Sequence, residues 1–362
     1  MLKKYFTILT VVLISSTVFC GTSPKPKNII LLIGDGMGLS QVTASVLSQS
    51  NDQFKKFSTV GLINTCSADK LITDSAAGAT AYSTGYKTGN GKIGVDVNNK
   101  TLTNIFEIAK KKKKSTGIVV TCSVTNATPA AFLAHVESRK SEFDIAAQIL
   151  NSNVDFLAGA GTDFFLPKEL GGKREDKKNY VDSMKAKGYE YSDDSSKVSS
   201  LSVQKKFFGL YGGYALPHGN QRSYTLGQLT KSAIQSLSKN QKGFFLMVEG
   251  SQIDWAADKN DKEYLFAEQK DFNSAIEEAL KFAEKDKNTL VIVLSDHDTS
   301  SLGVSGLNKE TGVLDVVWAT RYHTANFVGM FSAGPGSSLF GGIQENDEVG
   351  KKMISLISGM KF

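Results

Sequence analysis

"KNIILLIGDGMG", residues 27–38, is a continuous apolar run closed by Gly34, Asp35 and Gly36. A strand with one wet face alternates apolar and polar residues. This one does not, so it reads as a central strand covered on both faces and running into a loop. Three later stretches repeat the design: "TGIVVTCSVTNATPAAF" (116–132), "KGFFLMVEGSQIDW" (242–255) and "KNTLVIVLSDHDTSS" (287–301). Each Val/Ile/Phe-rich run ends in Asp, Glu, Thr or His. Between them lie helix-like stretches, "TLTNIFEIAKKKKK" (101–114), "SEFDIAAQILNS" (141–152), "TLGQLTKSAIQSLSKN" (225–240) and "YLFAEQKDFNSAIEEALKFAEKD" (264–286). Strands alternating with helices predict an α/β fold, a three-layer sandwich around a central, mostly parallel sheet. Ligands in such sheets bind beyond the carboxyl ends of the strands. The polar residues at those ends are therefore expected on one edge, although they are scattered along the chain from 35 to 297.

The chain has 362 residues, 41% hydrophobic and 22% charged, with a formal net charge of +6. That composition is globular, and the charge is too mild for a nucleic-acid binder without interleaved basic and aromatic residues. Residues 1–20 read as an export signal: Lys3 and Lys4 lead into "YFTILTVVLISSTVFC", and polar "GTSPKPK" follows. The run is short for a membrane span of about 20 residues. Cys20 is either a lipidation site, for which Phe19 is a poor neighbour, or lies beside a simple cleavage point. Both predict a periplasmic, cell-surface or secreted protein. Export permits a Cys66–Cys122 disulfide, and two buried free thiols fit equally.

One domain over residues 27–362 is expected, with an insertion around 163–222. Its polar part, 172–222, carries at least one helix and is a candidate substrate-side lid. Lys110–Lys114 read as cations answering a helix C-terminus. The tail, 334–360, reads as a loop followed by a terminal helix.

"LITDSAAGATAYSTG" (71–85) sets Asp74 and Ser75 at the mouth of a helix rich in small residues. Such a pair caps a helix, and it also suits a nucleophile placed where an anion binds. The strand-end residues around it are Asp35, Thr128, Glu249, Asp254, Asp296 and His297, with His323 farther on in "WATRYHTANFV". The chain holds 4 His, and two of them fall in this set. Carboxylates converging on one edge repel one another, so a cation is the natural remedy. Asp with His suits zinc, whereas Asp, Glu and Thr oxygens suit magnesium.

"LLIGDGMG", "TDSAAGATAYSTGYKTGNGKIGVD", "ATPAAFLAHVESR", "MVEGSQIDW", "SDHDTSS" and "HTANFV" stand in the order and approximate spacing of bacterial alkaline phosphatases. The chain resembles the compact, cold-adapted branch of that family from about residue 27 to the end, most weakly in 163–222. The resemblance implies Ser75 as a nucleophile that becomes phosphoserine. It implies one zinc ion on Asp35, Asp296 and His297, and a second on Asp254, Asp258 and His323. It implies a magnesium ion on Asp35, Thr128 and Glu249. Arg139 matches the guanidinium that grips two phosphate oxygens, with Asp74 orienting it. The implied reaction is two-step hydrolysis of phosphate monoesters with net retention at phosphorus, by an exported homodimer.

Three positions depart from the family pattern. Asp258, in "IDWAADKND", stands where members usually have His, which predicts a weaker or altered second zinc site. Asn126 replaces an Asp or His near the magnesium site and adds no charge there. Trp255 stands where some relatives have Lys or His and offers phosphate no cation, so it is expected to pack near the entrance. His135, on the helix-like "PAAFLAHVESR", reads as packing, and His218 carries no assignment. Two rival readings are a phosphodiesterase or sulfatase of the same superfamily, and a metal- or phosphate-binding relative without catalysis.

Overall fold

The computed structural model describes residues 25–201 and 205–360. The expected export signal and Cys20 lie outside them. Among the described residues, ten strands form the main sheet: β1 Asn28–Gly34, β2 Thr59–Asn64, β3 Ser115–Ser123, β4 Phe156–Ala160, β5 Glu190–Ser192, β6 Phe207–Leu210, β7 Phe244–Gly250, β8 Thr289–Leu294, β13 Val328–Ala333 and β14 Gly342–Glu345. Four short strands between β8 and β13 form two-stranded pairs: β9 Asp298–Thr299 with β12 His323–Thr324, and β10 Leu302–Leu307 with β11 Leu314–Trp318. The sheet order is β14-β2-β13-β8-β1-β7-β3-β4-β6-β5, and β13 alone runs antiparallel to its neighbours.

β1 is buried along its whole length. Ile29, Leu31 and Ile33 enter one core, while Ile30 and Leu32 enter the other. That is the period-2 alternation of a strand with apolar layers on both sides. Helices Ser75–Thr84, Ile105–Lys111, Glu142–Ile149 and Asn346–Ser358 cover the first face. Helices Leu39–Ser48, Leu226–Leu237, Gln252–Asp258 and Lys262–Asp286 cover the second. The result is the three-layer α/β sandwich read from the strand and helix alternation.

The helix-like stretches become helices within a few residues of their expected limits. Three details differ. His135 is not helical: that helix stops at Ala130, and Val136 then bridges Ile93 as the chain turns toward Arg139. The polar insertion is woven into the sheet, because β5 and β6 lie within it and form its far edge. The tail hides β14, which pairs with β2 before the terminal helix begins. Cys66 and Cys122 are both free, with Cys66 half-buried and Cys122 buried. Lys110 pairs with Asp155 and Lys114 donates to the carbonyls of Lys27 and Lys242, so the basic run is tied to the starts of neighbouring strands.

Candidate active site

Parallel register builds the site. Ile33 lies level with Glu249 of β7 on one side and with Leu294 of β8 on the other. Two residues farther along β1 and β8 come Asp35 and Asp296, side by side at the carboxyl edge. His297 follows Asp296, and Asp254 sits in the helix Gln252–Asp258 just past β7. β12 supplies His323. Thr128 lies in the one-turn helix Ala127–Ala130 beyond β3.

These groups form two clusters whose ligand atoms lie within 4.8 Å of one another: Asp35, Asp296 and His297, and Asp254, His297 and His323. His297 belongs to both. Its Nε2 is 3.3 Å from Asp35 Oδ1, 3.4 Å from Asp296 Oδ2 and 3.3 Å from the Ser75 hydroxyl. His323 Nε2 is 3.5 Å from Asp254 Oδ1, and its ring stacks on that of His297 at 3.6 Å between centroids. Thr73 O lies 3.0 Å from His323 Nδ1, which leaves Nε2 directed at the cluster.

Thr299 decides the tautomer of His297. Its hydroxyl donates its one proton to Asp254 Oδ1 at 2.5 Å, so it accepts at 3.2 Å from Nδ1–H of His297. The Nε2 lone pair then faces two carboxylate oxygens and a hydroxyl oxygen. Acceptors facing acceptors are stable only with a proton or a cation between them. Glycine at 36 makes the arrangement sterically feasible, because a Cβ there would lie 2.6 Å from Thr299 Oγ1 and 2.7 Å from Asp254 Oδ1.

The residues present fit divalent cations. Asp35 Oδ1, Asp296 Oδ2 and Thr128 Oγ1 are buried with no hydrogen-bond partner among the described residues, which is costly unless something else satisfies them. Burial, then repulsion from Asp296, Asp254 and Glu249, pushes the Asp35 carboxyl far up. Burial also raises Asp296. Glu249 is pushed up to about 7, by burial first, with Ser251 easing and Asp296 adding to the shift. Burial and the neighbouring His323 hold His297 down at about 3, so its imidazole is neutral and ready to ligate. Carboxylic acids this reluctant to ionise beside a neutral imidazole exchange their protons for a metal ion when one binds.

Ser75 opens the helix Ser75–Thr84, and Asp74 caps it by accepting from Ala77 N at 3.0 Å. Every residue of that helix is buried. Its small side chains let it press against the Asp296 segment, where a Cβ on Gly78 would lie 3.1 Å from Asp296 Cβ. The other Asp74 oxygen accepts from Gly91 N at 3.0 Å and from Arg139 Nη1 at 3.1 Å. Arg139 Nη2 also donates to Asn126 Oδ1 at 3.4 Å. Burial opposes the arginine's charge, but Asp74, Asp35 and Asp254 outweigh it and raise its pKa. A hydroxyl, a held guanidinium and a helix N-terminus therefore converge on one edge, a combination that receives a tetrahedral oxyanion.

Asp258 stands apart from both clusters among the described residues. It is half-buried, and its carboxyl is pushed up to about 6 by burial and by Asp254. Trp255 stacks on Tyr214, with centroids 5.8 Å apart and rings 9° from parallel. His135 bonds Gly94 O and faces Glu107, and His218 stacks on Tyr264. Sequence reasoning passed over Thr299 and Tyr214. Thr299 lies inside the quoted "SDHDTSS", but a hydroxyl in a Ser/Thr-rich turn carries no distinguishing pattern.

Fold and site together define a class: α/β proteins whose sheet edge holds a serine at the first turn of an aspartate-capped helix beside paired carboxylate–imidazole clusters. A family model described as "Alkaline phosphatase" matches residues 26–314. Alkaline phosphatase 4 of Bacillus subtilis is 38% identical over 301 residues, 77% of this chain and 63% of that protein. The chain thus spans less than two thirds of that relative's length. Alkaline phosphatase of Escherichia coli is 35% identical over 350 residues, covering 80% of this chain and 74% of that one. Among solved structures, alkaline phosphatase from the Antarctic bacterium TAB5 superposes with a TM-score of 0.86 at 38% identity, covering 94% of this chain and 100% of the other. A variant of that protein was solved with Mg bound in its M3 site. The chain belongs to the alkaline phosphatase family.

Proposed function

We propose that this protein hydrolyses phosphate monoesters through a phosphoserine on Ser75, releasing inorganic phosphate. The observation that carries the reading is the Ser75 hydroxyl at a helix N-terminus, 3.3 Å from His297 Nε2 and beside both clusters. Asp35, Asp296 and His297 would hold one zinc-type ion, and Asp254 and His323, with Asp258, a second. Asp35, Thr128 and Glu249 would hold a magnesium-type ion. Bound divalent ions supply Lewis-acid stabilisation of the entering and leaving oxygens.

The chain's own groups do the remaining work. Arg139 grips two non-bridging phosphate oxygens, and Asp74 keeps its guanidinium from swinging away. The helix start at Ser75 adds backbone N–H groups and a favourable dipole for the dianion. Ser75 Oγ loses its proton to solvent and attacks phosphorus in line with the departing alkoxide, which takes up a proton as it leaves, so a serine–phosphate bond forms as the ester bond breaks. Water then displaces serine from the opposite side, and two inversions give net retention. Export through residues 1–20 and pairing into a homodimer belong to the same proposal. N-terminal sequencing of secreted protein and sedimentation test them.

The decisive experiment combines Ser75→Ala with acid quenching. Metal-loaded wild-type protein turning over a nitrophenyl phosphate should gain one phosphoryl group on Ser75 by intact mass, and the variant should gain none. Phosphate release that persists at the wild-type rate in Ser75→Ala overturns the reading.

A further inference from the structure

An aromatic wall stands beside the arginine end of the site, and the proposed reaction does not use it. Trp255 follows Asp254 directly and packs against both hydrophobic cores. Tyr214 lies nearly parallel to it, with centroids 5.8 Å apart and planes within 9°. The Tyr214 hydroxyl accepts from Asn126 Nδ2 at 3.2 Å, and Asn126 Oδ1 accepts in turn from Arg139. Farther out, Phe164 meets Tyr214 edge-on at 6.3 Å and Phe143 meets Phe164 at 5.2 Å. Tyr214 nevertheless remains 44% exposed.

A tyrosine packed only to fill space hides its ring. This one is held in place by a stack and a hydrogen bond, yet shows much of its surface. Holding an aromatic ring costs little rotamer freedom, which makes it an efficient contact surface. Its position follows from two attachments. The hydroxyl is tied through Asn126 to the guanidinium that would hold phosphate. The stacked indole follows Asp254, a residue of the second cluster, which on the monoesterase reading would stabilise the oxygen of the leaving alcohol. A ring carried by that alcohol therefore meets an aromatic face. Tyr214 also comes from the segment 163–222, least like the family's motifs, where loops on a rigid scaffold set specificity.

We propose that the Tyr214–Trp255 pair is a stacking platform for a planar ring on the leaving alcohol, making nucleoside monophosphates favoured substrates. The proposal rests on the monoesterase reading above. Adenosine 5′-monophosphate and ribose 5-phosphate break the same kind of bond to a primary alkoxide, so their ratio isolates the base.

Base–aromatic stacking is sequence-tolerant and corresponds to about 5- to 150-fold in binding. The metal-loaded full chain should favour the nucleotide in kcat/KM by at least about fivefold, through KM rather than kcat. Tyr214→Phe should keep that preference. Tyr214→Ala and Tyr214→Leu should bring the ratio close to one, leucine because it fills volume without a π-face. Equal losses on both esters, or a ratio unchanged in Tyr214→Leu, overturn the platform.

Calorimetry on Ser75→Ala separates the two readings. Tighter binding of the nucleotide than of the sugar phosphate, lost on adding Tyr214→Ala, upholds the platform even if wild-type protein hydrolyses neither ester. Equal binding of both overturns the platform and leaves the hydrolytic reading standing.

Discussion

The two carboxylate–imidazole clusters share His297 but are built from different material. Asp35 and Asp296 come from the ends of adjacent central strands, where parallel pairing fixes their level, and both are at most 4% exposed. Asp254 comes from a short helix, and His323 from a two-residue strand pair outside the main sheet. The His323 side chain is 22% exposed, and Asp258 lies farther off and half-buried. The sheet thus enforces the first cluster, while loops assemble the second. Asp258 falls where geometry is less constrained, and one ligand more or less there shifts affinity rather than the fold.

The largest effect should come from the shared residue. His297→Ala removes the imidazole whose one free lone pair, on Nε2, would ligate the Asp35–Asp296 ion, so metal analysis should show that ion lost and turnover should fall on the order of 10⁴-fold. Retention of that ion at wild-type occupancy in the purified variant would sink this role for His297. Next comes Thr299→Val, which keeps the side-chain shape and deletes the hydroxyl that holds Asp254 and sets the His297 tautomer. Losing a hydroxyl that holds a metal ligand in place typically costs about 10–100-fold in metal affinity. Chelator competition should show the Asp254–His323 ion leaving first, and Thr299→Ser should restore it. An unchanged off-rate for that ion would sink the positioning role.

Asp258→His should act on the second cluster alone and in the favourable direction. The exchange removes a carboxylate that Asp254 already repels and offers an imidazole, which suits zinc better than a lone carboxylate. Tightening by about tenfold, with less dependence on added zinc, is the expected result of zinc titration. Identical titrations of wild type and variant would show that Asp258 plays no part in that site.

How much of this could be read in advance differs along the same line. The buried strands β1, β3, β7 and β8 announce themselves as unbroken apolar runs, because both faces are covered. Once they are laid parallel, Asp35, Glu249 and Asp296 must share an edge. β5 and β14 did not announce themselves: three- and four-residue edge strands are held by the neighbour they pair with, not by their own pattern. The Ala-rich stretch around His135 has good helix propensity, yet pairing of Val136 with Ile93 overrides it. Tyr214 was illegible for a similar reason, since its role exists only through rings and amides far away in sequence.

The smallest effect is one of pH on stability. In metal-free protein the buried carboxyls carry raised pKa values, so between their unfolded and folded values the folded state holds more protons than the unfolded one. Stability then falls as pH rises through that window. For Glu249 the window ends at about 7, and for Asp258 at about 6. Asp35, driven up by burial and three acidic neighbours, extends it further. His297 works the other way. Its folded value near 3 means that its contribution grows as pH rises and is complete by its ordinary value of 6.5. Above pH 6.5 the carboxyls act together with His135, whose pKa is raised because Glu107 and the Gly94 carbonyl outweigh burial, so chelator-treated protein should melt about 2–4 °C lower at pH 8 than at pH 6.5. Metal-loaded protein should not follow, because bound cations keep those carboxylates ionised without penalty. Since Asp35 and Glu249 both lie at the sheet edge, Asp258→Asn should leave most of the metal-free slope intact. A slope abolished by that change would place the protonated groups in the loop-built cluster instead.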